Sequence, residues 1–249
     1  MPDALGHRMK FGVIAPSTNT IVQPEFGWMS PPGVTSHFSR IHIPDDPLGS
    51  DADFEELMQR IRRELMQAVD RVMTARPGAI VMGMSSETFW GGLEGSLELK
   101  ERLTERAEGL PVAMGSDASQ AALRCYGDIK RIAVVTPYMP VGDREVVKFF
   151  GDCGFEVVAI TGLKCASPTA IAHVDAKTLR DAVLEVDDPQ VEAILQVGTN
   201  LAFAHIAPKA EFWLDKPVLA INTATYWHAL RMNGIADRVR GFGSLLEDY

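Results

Sequence analysis

The chain states its architecture twice. Phe11-Gly-Val-Ile-Ala-Pro16-Ser17 is answered by Ile132-Ala-Val-Val-Thr-Pro137-Tyr138. Ala79-Ile-Val-Met-Gly-Met84-Ser85-Ser86 is answered by Ala193-Ile-Leu-Gln-Val-Gly198-Thr199-Asn200. Leu110-Pro-Val-Ala-Met114 returns as Lys216-Pro-Val-Leu-Ala220, and Ala122-Leu-Arg-Cys-Tyr-Gly127 as Ala229-Leu-Arg-Met-Asn-Gly234. The four pairs keep their order, and only the loops between them change length. Two equivalent halves set equivalent strand ends across one shared cleft, so the repeat predicts both a fold and the place of its chemistry.

Between the repeated segments, short apolar runs alternate with helical periodicity. Strands are predicted over 11–15, 79–84, 111–114, 131–136, 155–160, 192–197 and 217–221. Helices are predicted over 53–75, 93–106, 118–126, 141–152, 175–186 and 224–233, with Asp51 or Asp53 capping the first. Continuous apolar strands separated by amphipathic helices indicate α/β halves, each a parallel sheet flanked by helices. The expected division is 9–128 for the first half, with the last helix of the chain packed on it. The second half spans 129–234, and 235–249 is a C-terminal segment. Right-handed crossovers put the strand C-termini on one edge, where open α/β sheets bind ligands.

Composition narrows the partner. A net charge of −9 argues against nucleic acid and anionic membrane. There is no signal-peptide pattern and no apolar run of about 18 residues. Cys125, Cys153 and Cys165 lack metal spacing, which argues against a zinc site or a disulfide framework. Neither a Gly-x-Gly-x-x-Gly turn nor a P-loop follows the first strand. A cytoplasmic, cofactor-independent protein with a small-molecule ligand is expected.

The polar residues after the strands are the candidate site. Ser85 and Ser86 stand where a strand yields to a helix. Two hydroxyls with the free N–H groups of that turn make a carboxylate cradle, although either serine also suits a helix cap. Tyr138, from the other half, offers a further donor, and Thr199 and Asn200 duplicate the serine pair. Asn19 is a candidate ligand contact or a turn residue. Glu87 suits general acid–base work if desolvated, or simply the first turn of a helix. His205 is a candidate for proton transfer, though a lone histidine also serves structure. Met84, Phe89, Trp90 and Phe203 are candidates for a dry wall or for plain core.

These motifs resemble the aspartate/glutamate racemase superfamily, in its arylmalonate decarboxylase and maleate cis–trans isomerase branch. The likeness rests on Val13-Ile-Ala-Pro16-Ser17-Thr18-Asn19, Ser85-Ser86-x-x-Phe89-Trp90-x-Gly92, Val134-Val-Thr-Pro-Tyr138, Ile171-Ala-His-Val-Asp175 and Gly241-Phe-Gly-Ser-Leu-Leu. It implies two pseudo-symmetric Rossmann-like halves around a cleft, with no cofactor, and is compatible with a homo-oligomer. In that family a cysteine ends the second motif strand of one or both halves and moves protons or attacks the substrate. Those positions fall on Met84 and Gly198 here, so both cysteines are absent. The hydroxyl-rich dioxyanion hole maps onto Ser85, Ser86 and Tyr138, with Gly198 and Thr199 able to complete it. The position before Ile171-Ala-His-Val that is often asparagine in the isomerases is Ser167. Cys165 lies in a loop near the cleft and is a weak candidate to replace the missing thiols.

Two-base racemisation and thiolate addition both need the absent cysteines. Decarboxylation depends least on them, because its hard step is carbon–carbon cleavage in an apolar pocket. The expected activity is therefore lyase-like, on a small mono- or dicarboxylate, with the final proton from water, Tyr138, Glu87 or His205. The alternatives are an isomerase with altered catalytic residues, a hydratase or hydrolase using Glu87 or His205, and a carboxylate-binding protein without catalysis.

Overall fold

The computed structural model describes residues 3–249. It contains two four-stranded parallel sheets. The first is built from β1 (Met9–Pro16), β2 (Val34–Ile41), β3 (Ala79–Met82) and β4 (Val112–Ala113), in the order β2-β1-β3-β4. The second uses β5 (Arg131–Thr136), β6 (Glu156–Gly162), β7 (Ala193–Gln196) and β8 (Val218–Ala220), in the order β6-β5-β7-β8. Helices α1 (Val22–Met29), α2 (Asp51–Met73), α3 (Ser86–Phe89), α4 (Gly92–Arg106) and α5 (Gly115–Cys125) belong to the first run of the chain. Helices α6 (Pro140–Asp152), α7 (Ala176–Val186), α8 (Ala207–Leu214), α9 (Ile221–Met232) and α10 (Ser244–Asp248) belong to the second. None of the described helices is long and apolar enough to cross a membrane.

The repeat extends to register. Phe11 pairs with Ala79 as Ile132 pairs with Ala193. Ile80 pairs with Val112 as Ile194 pairs with Val218. The central strands β1 and β5 are buried from Phe11 to Pro16 and from Ile132 to Thr136, which is why they read as unbroken apolar runs.

Three of the elements that escaped the periodicity have a local explanation. Strand β2 carries Ser36, His37, Ser39 and Arg40 at a sheet edge and so lacks an apolar run. Helices α1 and α8 are eight residues each and hold Pro24 and Pro208 in their first turns. The cap of α2 is Ser50, whose hydroxyl accepts the Asp53 N–H at 3.2 Å, rather than Asp51 or Asp53. Asp51 instead crosses to the other half. It accepts the Val141 N–H at the start of α6 at 2.9 Å and pairs with Arg144 at 2.9 Å. Its carboxylate thus sits at the positive end of a helix that begins 89 residues later in the chain, at Pro140.

Helix α9 makes the other crossing. It follows the last strand of the second sheet, yet packs against α5, α1 and the strands β3 and β4 of the first. Tyr226 on this helix is fully buried between Phe11 and Phe26, at centroid separations of 5.8 and 4.8 Å.

Candidate active site

The C-terminal ends of β1, β3, β5 and β7 converge on one cleft with a free volume of about 580 Å³, its mouth included. The floor comes from the strand ends: Thr18 and Asn19, Met84 to Ser86, Pro137 and Tyr138, and Gly198 to Asn200. The walls are Ile43 and Leu48 from the loop before α2, and Phe54, Leu57 and Ile61 from α2 itself. Met139, Cys165, Pro168 and Ile171 close the side of the second half. No lysine, arginine, histidine or carboxylate is among these lining residues. Inter-half hydrogen bonds hold the roof: Leu48 N–H to the Ala166 carbonyl at 2.7 Å, and Thr169 N–H to Asp45 at 2.8 Å.

At the centre of the floor, Ser85 Oγ and Tyr138 Oη lie 2.9 Å apart. Both residues are buried and their hydroxyls make no other hydrogen bond within the described residues. Two hydroxyls sharing one hydrogen bond use one proton between them. The other O–H has no acceptor and is available to a ligand, at a depth where an unmet donor costs about 1–3 kcal/mol. Ser85 occupies the cap position of α3 without capping it by side chain. Ser86 beside it is half-buried. The backbone N–H groups of Ser85, Ser86, Gly198 and Thr199 also meet no acceptor among the described residues. Burial raises the Tyr138 pKa, keeping the phenol protonated at neutral pH.

The amides of Asn19 and Asn200 and the hydroxyl of Thr199 are engaged within the protein, whereas the hydroxyls of Thr18 and Ser86 have no hydrogen-bond partner among the described residues. Asn19 Nδ2 donates to Thr199 Oγ1 at 3.0 Å, and its Oδ1 accepts the Ile21 and Val22 N–H groups at 3.0 and 2.9 Å. Thr199 Oγ1 donates to the Gly83 carbonyl at 3.1 Å. Asn200 Oδ1 accepts the Thr20 N–H at 3.0 Å while Nδ2 donates to the Pro168 carbonyl at 2.9 Å. These side chains line the cleft, but their polar atoms brace one half against the other.

The sequence profile of the arylmalonate decarboxylase family matches residues 12–246. The chain belongs to the arylmalonate decarboxylase family. It is 27% identical over 207 residues to arylmalonate decarboxylase from Bordetella bronchiseptica, covering 81% of each chain. It is 26% identical over 249 residues to a maleate isomerase from Pseudomonas putida, covering 95% of this chain and 96% of that one. In fold, it superposes on Nocardia farcinica maleate cis-trans isomerase bound to Tris with a TM-score of 0.86 at 22% identity, over 96% of this chain and 98% of that one. The two four-stranded parallel sheets flanked by helices thus match the fold of that isomerase.

Two candidate proton carriers lie outside the cleft lining. Glu87 is buried, but its Oε1 is taken by Arg62 Nε at 2.6 Å. Burial raises its pKa, outweighing the opposing pull of Arg62. His205 is exposed, sandwiched between Trp28 and Phe242 at 5.1 and 4.9 Å. The dry wall also differs from expectation. Phe89 packs into the core against Phe149, at 5.0 Å, and Phe203 is buried in the core of the second half. Trp90 stacks on the outer side of that wall against Phe54, at 6.2 Å, with Arg62 over its ring. The residues that do form the wall, Phe54, Leu57 and Ile61, share the helical stripe that covers the sheet, so their periodicity alone did not separate wall from core. Ser116 bonds Ser96 at 2.7 Å, away from the cleft, and Ser167 caps its own turn through the Ala170 N–H.

One support of the floor had no sequence signal. Glu25 on α1 is buried and accepts the Asn222 amide at 2.6 Å and the Ala204 N–H at 3.1 Å. Asn222 in turn donates to the Thr199 carbonyl at 3.0 Å. Burial raises the Glu25 pKa to about 7, offset in part by these hydrogen bonds.

Proposed function

We propose that the protein is a cofactor-independent decarboxylase of malonates carrying an apolar substituent. The observation that carries this reading is the Ser85–Tyr138 pair, with its spare O–H, at the floor of a cleft without charged side chains. A carboxylate that stays on the substrate accepts that O–H and the free N–H groups of the Ser85–Ser86 and Gly198–Thr199 turns. The second carboxylate then faces aliphatic wall, where its charge is poorly solvated. Breaking the bond to the α-carbon releases it as neutral carbon dioxide. The electron pair spreads into the retained carboxylate as an enediolate, whose charge the donors of the floor are set to stabilise. The apolar substituent packs on Leu48, Phe54, Leu57 and Ile171.

The same features weigh against an isomerase of maleate. A second carboxylate held through turnover needs its own donors, and the Asn200 amide and one N–H of the Asn19 amide are already engaged within the protein. Reading Met84 and Gly198 as the positions of the family's cysteines removes the thiolate such a reaction uses.

The test is incubation of the purified protein with aryl- and alkylmalonates, maleate and aspartate, following carbon dioxide, isomer and optical rotation. Carbon dioxide from the malonates alone is the expected result. Isomerisation of maleate, or binding of a malonate that is recovered unchanged, overturns it. Full activity in a Ser85→Ala/Ser86→Ala double variant removes the hydroxyl cradle from the mechanism.

A further inference from the structure

Decarboxylation leaves a carbanion equivalent that must regain a proton, and the cleft has to supply it from a defined side if the product is to be a single enantiomer. Of the side chains lining the cleft, only Tyr138 and Cys165 carry a proton that titrates in water. Tyr138 is engaged with Ser85 as part of the carboxylate cradle. The two strand-end positions offer nothing. Met84 has no acidic proton. Gly198 has φ of +119°, and a Cβ there would lie 2.5 Å from Pro137 Cδ, so the backbone admits no side chain at the end of β7.

Cys165 stands on the loop that follows β6, the strand beside β5. Its backbone N–H is fixed to the Pro137 carbonyl at 3.0 Å, one residue from Tyr138. The residue is 8% exposed and lines the cleft. Its thiol has no hydrogen-bond partner among the described residues, whereas Cys125, a half-buried cysteine outside the cleft, donates to the Ala121 carbonyl at 3.4 Å. A residue with an unengaged thiol therefore lines the same cleft as the Ser85–Tyr138 pair with its unengaged hydroxyl proton. We propose that Cys165 is the proton donor of this cleft, delivering hydrogen to the α-carbon after carbon dioxide leaves. The proposal rests on the decarboxylase reading above.

The step balances without a co-reactant. The S–H bond breaks and a C–H bond forms, using the electron pair left by carbon–carbon cleavage. The sulfur remains as thiolate and recovers a proton from water when the product leaves. Burial pushes the Cys165 thiol up to about 11, which keeps it protonated at neutral pH and suits a donor rather than a nucleophile.

The experiment uses a malonate bearing one aryl and one methyl group, turned over by the full chain and by the Cys165→Ala and Cys165→Ser variants. In the wild type a single enantiomer is expected. In Cys165→Ala, kcat falls by about 100-fold or more with KM within about threefold, and the residual product moves toward a racemate because solvent protonates either face. Cys165→Ser, of nearly equal size, keeps the fold and binding and loses turnover in the same way. A wild-type rate and enantiomeric ratio in either folded variant overturns Cys165 while leaving the decarboxylase reading standing. Absence of carbon dioxide release by the wild type overturns both, and the two failures are told apart by that measurement.

Discussion

Asn19 donates from its side-chain amide to the hydroxyl of Thr199, 180 positions along the chain and on the opposite side of the cleft. Each is a strand-end polar residue at the floor, and each is spent on the other. Asn19 also receives two N–H groups at the start of α1. Replacing it by alanine leaves buried donors unmet and is expected to destabilise the protein by about 2 kcal/mol. Urea unfolding of Asn19→Ala measures this; an unchanged midpoint would show that the inter-half bond contributes nothing.

Because Ser85 and Tyr138 share one hydrogen bond, losing either hydroxyl frees the other to donate. Ser85→Ala and Tyr138→Phe are each expected to lower kcat/KM by about 10-fold, and the double variant by well over 100-fold. Steady-state kinetics on the best malonate decides it. A double variant no worse than the singles means the two hydroxyls act as one inseparable unit.

Gly198 separates sequence analogy from structure. Introducing cysteine at Gly198, as the sequence resemblance suggests, is expected to destabilise the fold by about 2–3 kcal/mol and to add no turnover, since Pro137 occupies the space and φ is positive. Thermal unfolding together with the malonate assay tests both parts. A stable, faster Gly198→Cys enzyme contradicts the packing of this turn.

Glu25 sets a pH dependence. Its folded pKa of about 7 lies above the reference value of 4.5, so the native state holds the proton more tightly than the unfolded chain. The stability from this group is complete below about pH 4.5 and is lost as pH rises through about 7. The loss is on the order of 3 kcal/mol. In Glu25→Gln the fall in unfolding free energy between those two pH values is expected to shrink by that amount. Parallel curves for wild type and variant rule out Glu25 as the source.

His205 lies on the surface between two aromatic rings. His205→Gln is expected to leave kcat and KM within about twofold of wild type. A large loss of turnover would restore the hydratase or hydrolase reading.

The repeat made the sheets and the floor of the cleft legible, because strand order and register are the same in both halves. What escaped it depends on contacts between distant residues. Nothing near Glu25 marks it as the partner of Asn222, 197 positions later. Asp51 reads as a local cap and serves a helix of the other half. Phe89 and Phe54 are both aromatic residues beside candidate turns, and only packing assigns the first to core and the second to wall. The edge strand β2 was hidden because Ser36, His37, Ser39 and Arg40 interrupt its apolar residues although none of its side chains is fully exposed.

Helix α9 has a consequence for synthesis. The face of the first sheet that it covers is laid down early, while residues 221–232 are made only after all the strands of the second sheet. Until then β3 and β4 await a partner that has not been translated. The nascent first half therefore relies on a helix made after the whole second sheet to finish its own core, and it cannot complete its fold before that sheet has been translated.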